Sequence, residues 1–427
     1  MPAQPPAATI LHKTHWKPAL AALLLGVVAA IFIGKLPPAL PGLRAEFGLS
    51  LSESAWMVSM FNALGVVASI FMGLFSARVG AWRLCVTGLI AMTGGAWLGV
   101  ATPASMPWLL LASRFLEGVG FLSIVVSAPA LLMLATADAD RKRVFSFWGA
   151  YMPTGTTIGM LAAPLLIASF GWRGLWLGTS FAALAALWLL ISLRGAYSRA
   201  HNSSAADSPA ATWRASTGPL KKAAPWWIAL AFGCYAFNFY AIMVWLPTFI
   251  VGERNTPLLT ASLLTALVVA VNIGGNVMGG VLMQRGVSRG ANVCLAGVFT
   301  ALTCAVIFSP ALPDPLRYFG CVAFSFLVGI LPGSVMSSAQ THAQNPAQVG
   351  TVQGMINQGS NMGQFISPLL VTAAVSHAVS QTAGQTAGAS LAWDNMLYLL
   401  LATSAIIVVS GWMIRRIEAG MAANANT

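Results

Sequence analysis

Polar breaks divide the chain into twelve apolar runs, and each run is close to the length of about 20 residues that a helix needs to cross a bilayer. Only 7% of the 427 residues are charged and 57% are hydrophobic, whereas a soluble domain carries about 25% charged residues. The sequence therefore predicts an all-α membrane protein with twelve transmembrane helices. The predicted spans are 17–40, 54–76, 84–102, 107–134, 146–169, 173–194, 225–250, 258–283, 291–310, 316–338, 352–376 and 392–414.

One pattern, G-x-x-x-G-x-x-x-x-P-L-L, occurs twice, beginning at Gly155 and again 204 residues later at Gly359. Similar segments also follow predicted helices two and eight, where Arg78 and Arg285 lie 207 residues apart. Two self-matches at nearly the same offset indicate an internal duplication. We therefore predict two pseudo-symmetric six-helix bundles joined by a polar, basic, flexible linker. The predicted parts are residues 1–194, 195–224 and 225–427.

Lys and Arg residues are distributed unevenly between the loops of this topology. With the N-terminus inside, sixteen lie on the cytoplasmic side and four on the other, in agreement with the positive-inside rule. We expect a multi-pass protein of the inner membrane with the linker and both termini in the cytoplasm. Its surroundings are the lipid bilayer, and the net charge of +12 follows from the topology, so no nucleic-acid partner is inferred.

The residues that commonly carry catalysis or bind metals are scattered along the chain. The five cysteines lie in apolar runs without metal-ligand spacing, and the five histidines form no nucleophile–base arrangement. A membrane enzyme would show clustered His, Asp or Glu near an interface. We therefore expect no enzyme, no metal site and no cofactor.

Several motifs resemble those of the major facilitator superfamily of secondary transporters. The loop "GLFSARVGAWR" is similar to the family's G-x-L-a-D-r-x-G-r-k motif at Gly73, Arg78 and Gly80, with Ala77 in place of its aspartate. "RFLEGVG" resembles the helix-four motif R-x-x-Q-G-x-G, with Glu117 in place of its glutamine. "GTTIGMLAAP" resembles the Gly/Pro motif of helix five, and "GWR" resembles the end of that helix.

The resemblance covers the whole chain, and "RFLEGVGF", "APALL" and "WGAYMPTG" are most similar to the cyanate permease branch and its organic-anion relatives. It implies a monomeric secondary transporter that moves a small anionic solute by alternating access, with proton-coupled uptake. Two alternatives stay open. One is efflux of neutral drugs or metabolites, and the other is import of a larger aromatic or chelating cargo such as a siderophore.

The repeated motif places two glycines four residues apart on one face of each helix. Small residues at this spacing let helix backbones approach closely in lipid. We expect smooth seams that pack the two halves against each other and slide during transport, although packing alone also explains the glycines. The residues concerned are Gly155, Gly159, Pro164, Gly359, Gly363 and Pro368.

Polar residues within the spans indicate function because lipid makes them costly. On helix eleven, Asn357, Asn361 and Gln364 are spaced i, i+4, i+7 and form one stripe. The stripe faces away from the glycines. It is predicted to line a substrate cavity or, alternatively, to make hydrogen bonds between helices. Asn62 on helix two and Tyr151 on helix five are further candidate substrate contacts.

Helix seven carries a second polar stripe, in which Tyr235, Asn238 and Trp245 share a face and Tyr240 falls on the other side. This combination of aromatic and amide groups suits a flat or conjugated ligand, and aromatic packing explains it equally well. We predict that Tyr235 and Asn238 contact the substrate. A pair of asparagines on helix eight, at 272 and 276, is assigned to helix packing.

Three charged residues lie within the spans and more than three residues from either end: Lys35, Arg114 and Glu117. Arg114 and Glu117 are i, i+3 on one helix, so they either pair with each other or form a proton-coupling site in which Arg114 tunes Glu117. Lys35 lies about 25 Å along its helix from the cytoplasmic end. It either extends its amine to the membrane surface or attracts an anionic substrate within a partly dry cavity.

Overall fold

A computed structural model of the chain describes residues 13–198, 217–336, 338–343, 346–382 and 393–425. The regular elements in these ranges are helices. The first half contains α1 (Trp16–Gly34), α2 (Leu36–Phe47), α3 (Leu51–Met60), α4 (Ala63–Val79), α5 (Ala81–Val100), α6 (Trp108–Ala135), α7 (Arg141–Gly149), α8 (Tyr151–Ser192) and α9 (Arg194–Ser198). The second half contains α10 (Ala223–Arg254), α11 (Leu258–Gln284), α12 (Arg289–Ile307), α13 (Asp314–Val328), α14 (Ile330–Val335), α15 (Ser338–His342), α16 (Pro346–Thr382) and α17 (Met396–Ala425). Short 3₁₀ turns lie at Asp138–Asp140, Gly218–Lys221 and Trp393–Asn395.

Ten helical segments in the described ranges are long and apolar enough to cross a membrane. One of them, α8, is 42 residues long and covers predicted spans five and six. It bends at Gly171, whose φ of 66° is a left-handed conformation that glycine adopts readily. The amide-rich α16 covers predicted span eleven and is not among the ten. The twelve predicted spans therefore lie mainly on helices, and twelve membrane crossings remain a prediction.

The first span is interrupted at Lys35, which lies between α1 and α2. The break occurs where two prolines follow, at positions 37 and 38, since proline has no backbone N–H and suits the start of a new helix. The conformation at Lys35 itself stays helical, and its N–H still donates to the carbonyl of Ile31. Lys35 is thus held at the junction of two helices, inside the span.

Corresponding helices pack in the same way in the two halves. In the first half α1 packs against α8, and α5 packs against α6 and α8; in the second half α10 packs against α16, and α12 packs against α13 and α17. The two halves meet where α4 contacts α16, α8 contacts α11, and α2 contacts α10. The faces of α8 and α16 that do not contact α1 and α10 are therefore available to the interface between the halves.

The glycine seams lie within each half, so the prediction that they pack one half against the other is wrong. A Cβ atom added at Gly155 would lie 2.2 Å from the carbonyl oxygen of Val27 on α1, and one at Gly359 would lie 2.1 Å from that of Ala229 on α10. Gly159 and Gly363 make the same kind of approach to Ile31 and Gly233. The seam joins the fifth helix of each bundle to its first, because only glycine admits backbones this close.

The loop motif after predicted helix two lies at the α4–α5 boundary. Gly73 and Arg78 belong to the last part of α4, and their side chains lie outside the described residues. Gly80 separates α4 from α5 and has a φ of 91°. That conformation favours glycine, which explains the residue type at this position. Pro164 and Pro368 lie inside α8 and α16.

Candidate functional site

A cavity of about 90 Å³ lies between the two halves. The second half supplies most of its wall, through α10, α11, α14 and α16, while α6, α7 and α8 close it from the first half. None of the described lining residues is charged. Its aromatic and polar members are Trp148, Tyr151, Phe232, Tyr235, Phe239, Tyr240, Asn272, Asn276, Gln353, Asn357, Ser360 and Gln364.

Aromatic rings face the cavity from both halves. On α10 the rings of Tyr235 and Phe239 are stacked, with centroids 6.0 Å apart and an interplanar angle of 16°. Across the cavity, Trp148 and Tyr151 stack with centroids 4.5 Å apart. Flat parallel rings offer π surfaces to a planar guest, so the cavity has the shape and chemistry to hold a conjugated group.

Asn238 does not face this cavity, contrary to the prediction. Its side chain is fully buried and accepts a hydrogen bond of 2.6 Å from the hydroxyl of Thr403 on α17. Tyr240, which was expected on the other side of the helix, lines the cavity instead. Asn238 and Trp245 do share a face, but that face points toward α17 and Trp393. Tyr235 was predicted to share the face of Asn238 and Trp245, but it lines the cavity together with Tyr240.

The amide stripe of α16 divides between two environments. Asn357 and Gln364 line the cavity, and the Gln364 side chain donates to Ser360 at 2.9 Å while its carbonyl oxygen has no hydrogen-bond partner. Asn361 turns toward α4 and donates to the hydroxyl of Ser69 at 3.3 Å, across the interface between the halves. The stripe therefore serves both the cavity wall and the contact between the halves.

The two asparagines of α11 form a hydrogen-bonded edge of the cavity. Asn272 donates to the carbonyl of Ser325 at 2.8 Å and accepts from the side chain of Asn276 at 2.8 Å. The hydroxyl of Tyr235 donates to the same Asn272 oxygen at 3.3 Å. Helix packing was expected for this pair and is present, and the same residues also hold the Tyr235 ring in place.

Lys35, Arg114 and Glu117 form one buried charge cluster in the first half. The Lys35 amine lies 2.7 Å from one oxygen of Glu117, and the Arg114 guanidinium contacts the other. The three side chains are 0%, 2% and 0% exposed respectively. The expected pairing of Arg114 with Glu117 is present, but Lys35 neither reaches the surface nor lines the cavity in this structure.

Aromatic rings and hydrogen bonds complete the surroundings of the charge cluster. The Lys35 amine also donates to Thr179 at 3.2 Å and lies 4.3 Å from the ring of Trp176. The Arg114 guanidinium donates to the carbonyl of Phe32 at 3.1 Å and lies 4.5 Å from the ring of Phe61. Two cations and one anion leave an excess of one positive charge, which cation–π contacts only partly offset.

The charge cluster and the cavity are connected by Tyr240 and Asn62. Tyr240 lines the cavity, and its hydroxyl lies near the side chain of Asn62. Asn62 directly follows Phe61, whose ring lies 4.5 Å from the Arg114 guanidinium. Both amide atoms of Asn62 and the Nε of Arg114 are buried without hydrogen-bond partners. Unpartnered polar groups of this kind are rare in protein interiors. They form a polar route from the cavity to the excess positive charge.

The sequence matches the model of the Major Facilitator Superfamily over residues 22–368. The chain belongs to this superfamily. It is a multi-pass membrane transporter and not an enzyme. The fold agrees with a solved structure described as a bacterial homologue of the human lysosomal transporter Spinster, in an inward-facing and unoccupied conformation. That likeness has a TM-score of 0.69 at 14% identity and covers 94% of this chain and 96% of the other.

Two curated relatives give substrate names for related chains. A putative niacin/nicotinamide transporter of Bacillus subtilis is 26% identical over 248 residues, which is 53% of this chain and 57% of the relative. A probable sulfoacetate transporter of Cupriavidus necator is 21% identical over 298 residues, or 64% and 67% of the two chains. The match thus spans little more than half the length of the first relative and two thirds of the second.

Proposed function

We propose that this superfamily member takes up a small, flat organic anion together with a proton across the inner membrane. The observation that carries the proposal is the polar route through Tyr240 and Asn62, which connects an aromatic cavity to the excess positive charge at Arg114. The rings bind the body of the solute and the positive charge attracts its anionic group.

The substrates named for these two relatives support this class of solute. Niacin combines an aromatic ring with a carboxylate, and sulfoacetate carries two anionic groups. The stacked rings of Tyr235 and Phe239 suit the ring of the former. The unpartnered Arg114 Nε and Asn62 amide are donors that the anionic group of either solute would satisfy.

The composition of the charge cluster supports proton coupling. Glu117 is the only carboxylate among the fully buried residues described. Its protonation removes the cluster's single negative charge and leaves Lys35 and Arg114 as two buried cations, which is strongly unfavourable where the dielectric constant is low. An anion bound near Arg114 offsets that cost. Proton and anion binding therefore strengthen each other, as linked equilibria require.

A neutral, flat solute is the second candidate, and it is favoured by a specific observation. None of the described residues lining the cavity is charged, and its polar groups are amides and hydroxyls. Such groups recognise an amide as readily as a carboxylate. Export or uptake of a neutral aromatic compound would use the same cavity without any role for Glu117.

A pair of solutes that differ only in charge separates these candidates. Nicotinate and nicotinamide share a ring, and one is an anion while the other is a neutral amide. We expect nicotinate to raise the thermal midpoint of the purified protein more than nicotinamide does, and to accumulate in vesicles when the outside is made acidic. Stabilisation by nicotinamide alone would favour the neutral candidate. If neither solute nor sulfoacetate binds, the proposed substrate class is wrong.

The proposed topology places the linker and both termini in the cytoplasm. Single cysteines at Ser204 and Asn424, in a variant without the five native cysteines, report on the linker and the C-terminus. We expect a membrane-impermeant thiol reagent to label them only after the cells are opened. Labelling in intact cells would place that segment outside and overturn the orientation.

A further inference from the structure

A second cavity, of about 530 Å³, lies entirely within the second half. Its walls come from α10, α11, α13 and α17 together with the ends of α12 and the turn at Trp393. None of the described residues lines both cavities, so the proposed transport site does not account for this one. Its volume falls in the range of about 300–1,000 Å³ that is typical of small-molecule sites.

The walls of this second cavity are mainly apolar. Side chains such as Ile242, Leu246, Phe249, Leu264 and Met396 line it. An apolar cavity of this size in a membrane protein favours an aliphatic or aromatic body over a sugar or an amino acid, because burying unpaired polar groups there is costly.

The charges of this cavity are confined to its rim. Arg254 at the end of α10 and Asp314 at the start of α13 form an ion pair with a distance of 2.7 Å. Arg317 lies 3.8 Å from the same carboxylate and donates to the carbonyl of Ile307 at 2.7 Å. Two cations share the carboxylate of Asp314, while the neighbouring carboxylate of Glu253 accepts a hydrogen bond from Trp393 at 3.3 Å. A guanidinium group has five N–H donors, so Arg254 and Arg317 can also bind an anionic group at the rim.

A hydrogen-bond donor lies deeper in the same cavity. Trp245 lines the wall, is 2% exposed, and its indole N–H has no hydrogen-bond partner. It is nine residues before Arg254 on α10, which is about 13 Å along the helix axis. An occupant that extends from the rim to Trp245 is therefore elongated.

We propose that this cavity binds an elongated amphipathic organic anion, with its anionic group at Arg254 and Arg317 and its apolar body against Leu246 and Phe249. Two sources supply this chemistry: a free long-chain carboxylate, or an anionic phospholipid that inserts one acyl chain. The rim lies at the ends of membrane-spanning helices, where both are present. The proposal does not depend on the transported solute.

Photoaffinity labelling in nanodiscs of phosphatidylcholine tests the proposal. The probe is a twelve-carbon carboxylate with a diazirine near its far end, and the matched probe is the corresponding alcohol. We expect the carboxylate to label peptides that contain residues 241–250 and 314–321. The alcohol should label these peptides about tenfold less, because it lacks the charge-assisted contacts.

Three variants locate the probe. Arg254→Gln combined with Arg317→Gln should reduce labelling by the carboxylate to the level of the alcohol. Leu246→Trp, which fills the cavity, should reduce labelling by both probes. Arg173→Gln is the matched control, because Arg173 forms an ion pair with Glu46 in the first half and does not line the cavity; labelling should be unchanged. Thermal midpoints verify that each variant is folded.

Competition distinguishes the sources. Loss of labelling with phosphatidylglycerol in the disc assigns the site to a membrane lipid, and loss with free dodecanoate alone assigns it to a free acid; both outcomes support the proposal. The proposal is overturned if the two probes label these peptides equally, or if Leu246→Trp is labelled like wild type. It is also overturned if the labelled peptides come only from lipid-facing helix surfaces and not from the cavity.

Discussion

The two halves of the chain share a fold and differ in where they place charge. The first half buries Lys35, Arg114 and Glu117 together inside the bundle. In the described part of the second half, ion pairs such as those of Arg254 and Arg289 involve residues at helix ends, and the groups facing the central cavity are rings and amides.

The duplication explains how this difference arises. Arg317 follows Arg114 by 203 residues, and Pro332 follows Pro129 by the same interval. In this register Gly320 takes the position of Glu117, so the second half keeps the arginine and lacks the carboxylate. One scaffold thus carries two arrangements: the first half holds the buried charge cluster, and the second half supplies most of the wall of the central cavity.

The glycine seam is the feature that the halves share, and its disruption should have the largest effect. Gly155→Leu and Gly359→Leu each force a side chain onto a backbone carbonyl little more than 2 Å from the new Cβ. We expect each to lower the free energy of unfolding by about 3 kcal/mol or more and to abolish uptake. Gly42→Leu and Gly252→Leu are matched controls, since no atom lies within 4 Å of an added Cβ there. A loss in only one half would break the equivalence of the seams.

Removal of the Glu117 carboxylate tests the buried charge cluster, which is the feature that distinguishes the first half. Glu117→Gln leaves two buried cations without a counter-charge, so we expect a loss of about 3–5 kcal/mol, measured as a lower thermal midpoint. Adding Lys35→Gln restores the wild-type net charge of the cluster and should recover much of that stability. Proton-driven accumulation should stay absent in the double variant. If it accumulates solute as wild type does, Glu117 is a structural partner and not the coupling site.

The cavity rings test the contribution of each half to the solute site. Tyr235→Leu and Tyr151→Leu each remove one member of a stacked pair. We expect the affinity for the solute to fall about tenfold in each case, by roughly 1.4 kcal/mol, measured by titration calorimetry. Trp188→Leu is the control, because its ring is 72% exposed on the outer surface. An unchanged affinity in Tyr151→Leu would assign the solute to the second half alone.

The smallest effects separate two asparagines of the second half. Asn357→Ala should weaken solute binding by about threefold to tenfold with little change in stability. Asn238→Ala should do the reverse, lowering stability by about 1 kcal/mol through the loss of its hydrogen bond with Thr403 and leaving affinity unchanged. Solute affinity and thermal stability are measured for both variants. If Asn238→Ala weakened binding and Asn357→Ala lowered stability, the assignment of the two faces would be contradicted.

The sequence predicted the helical spans, the duplication and the positions of close packing. The partner of each face was not predictable, because periodicity shows which residues share a face and not what that face contacts. Gly155 and Gly359 were therefore assigned to the wrong interface. Lys35 was assigned an approximate depth, but its contact with Glu117 joins residues 82 positions apart. The sequence did show a cation on predicted helix one, Lys35, and an anion on predicted helix four, Glu117, and such opposite charges within spans were the signal that could have predicted the contact.

The central claim is that anion binding draws a proton onto Glu117, and proton uptake on binding measures this directly. Purified protein in a weakly buffered solution is mixed with a saturating solute, nicotinate or whichever anion stabilises it, and the change in pH is recorded after subtraction of the solute's own ionisation. The account predicts that wild type takes up protons on binding and that its affinity rises as the pH falls. The Glu117→Gln and Lys35→Gln double variant should bind without proton uptake and without pH dependence. Equal proton uptake by wild type and the double variant, or none by either, would contradict the account.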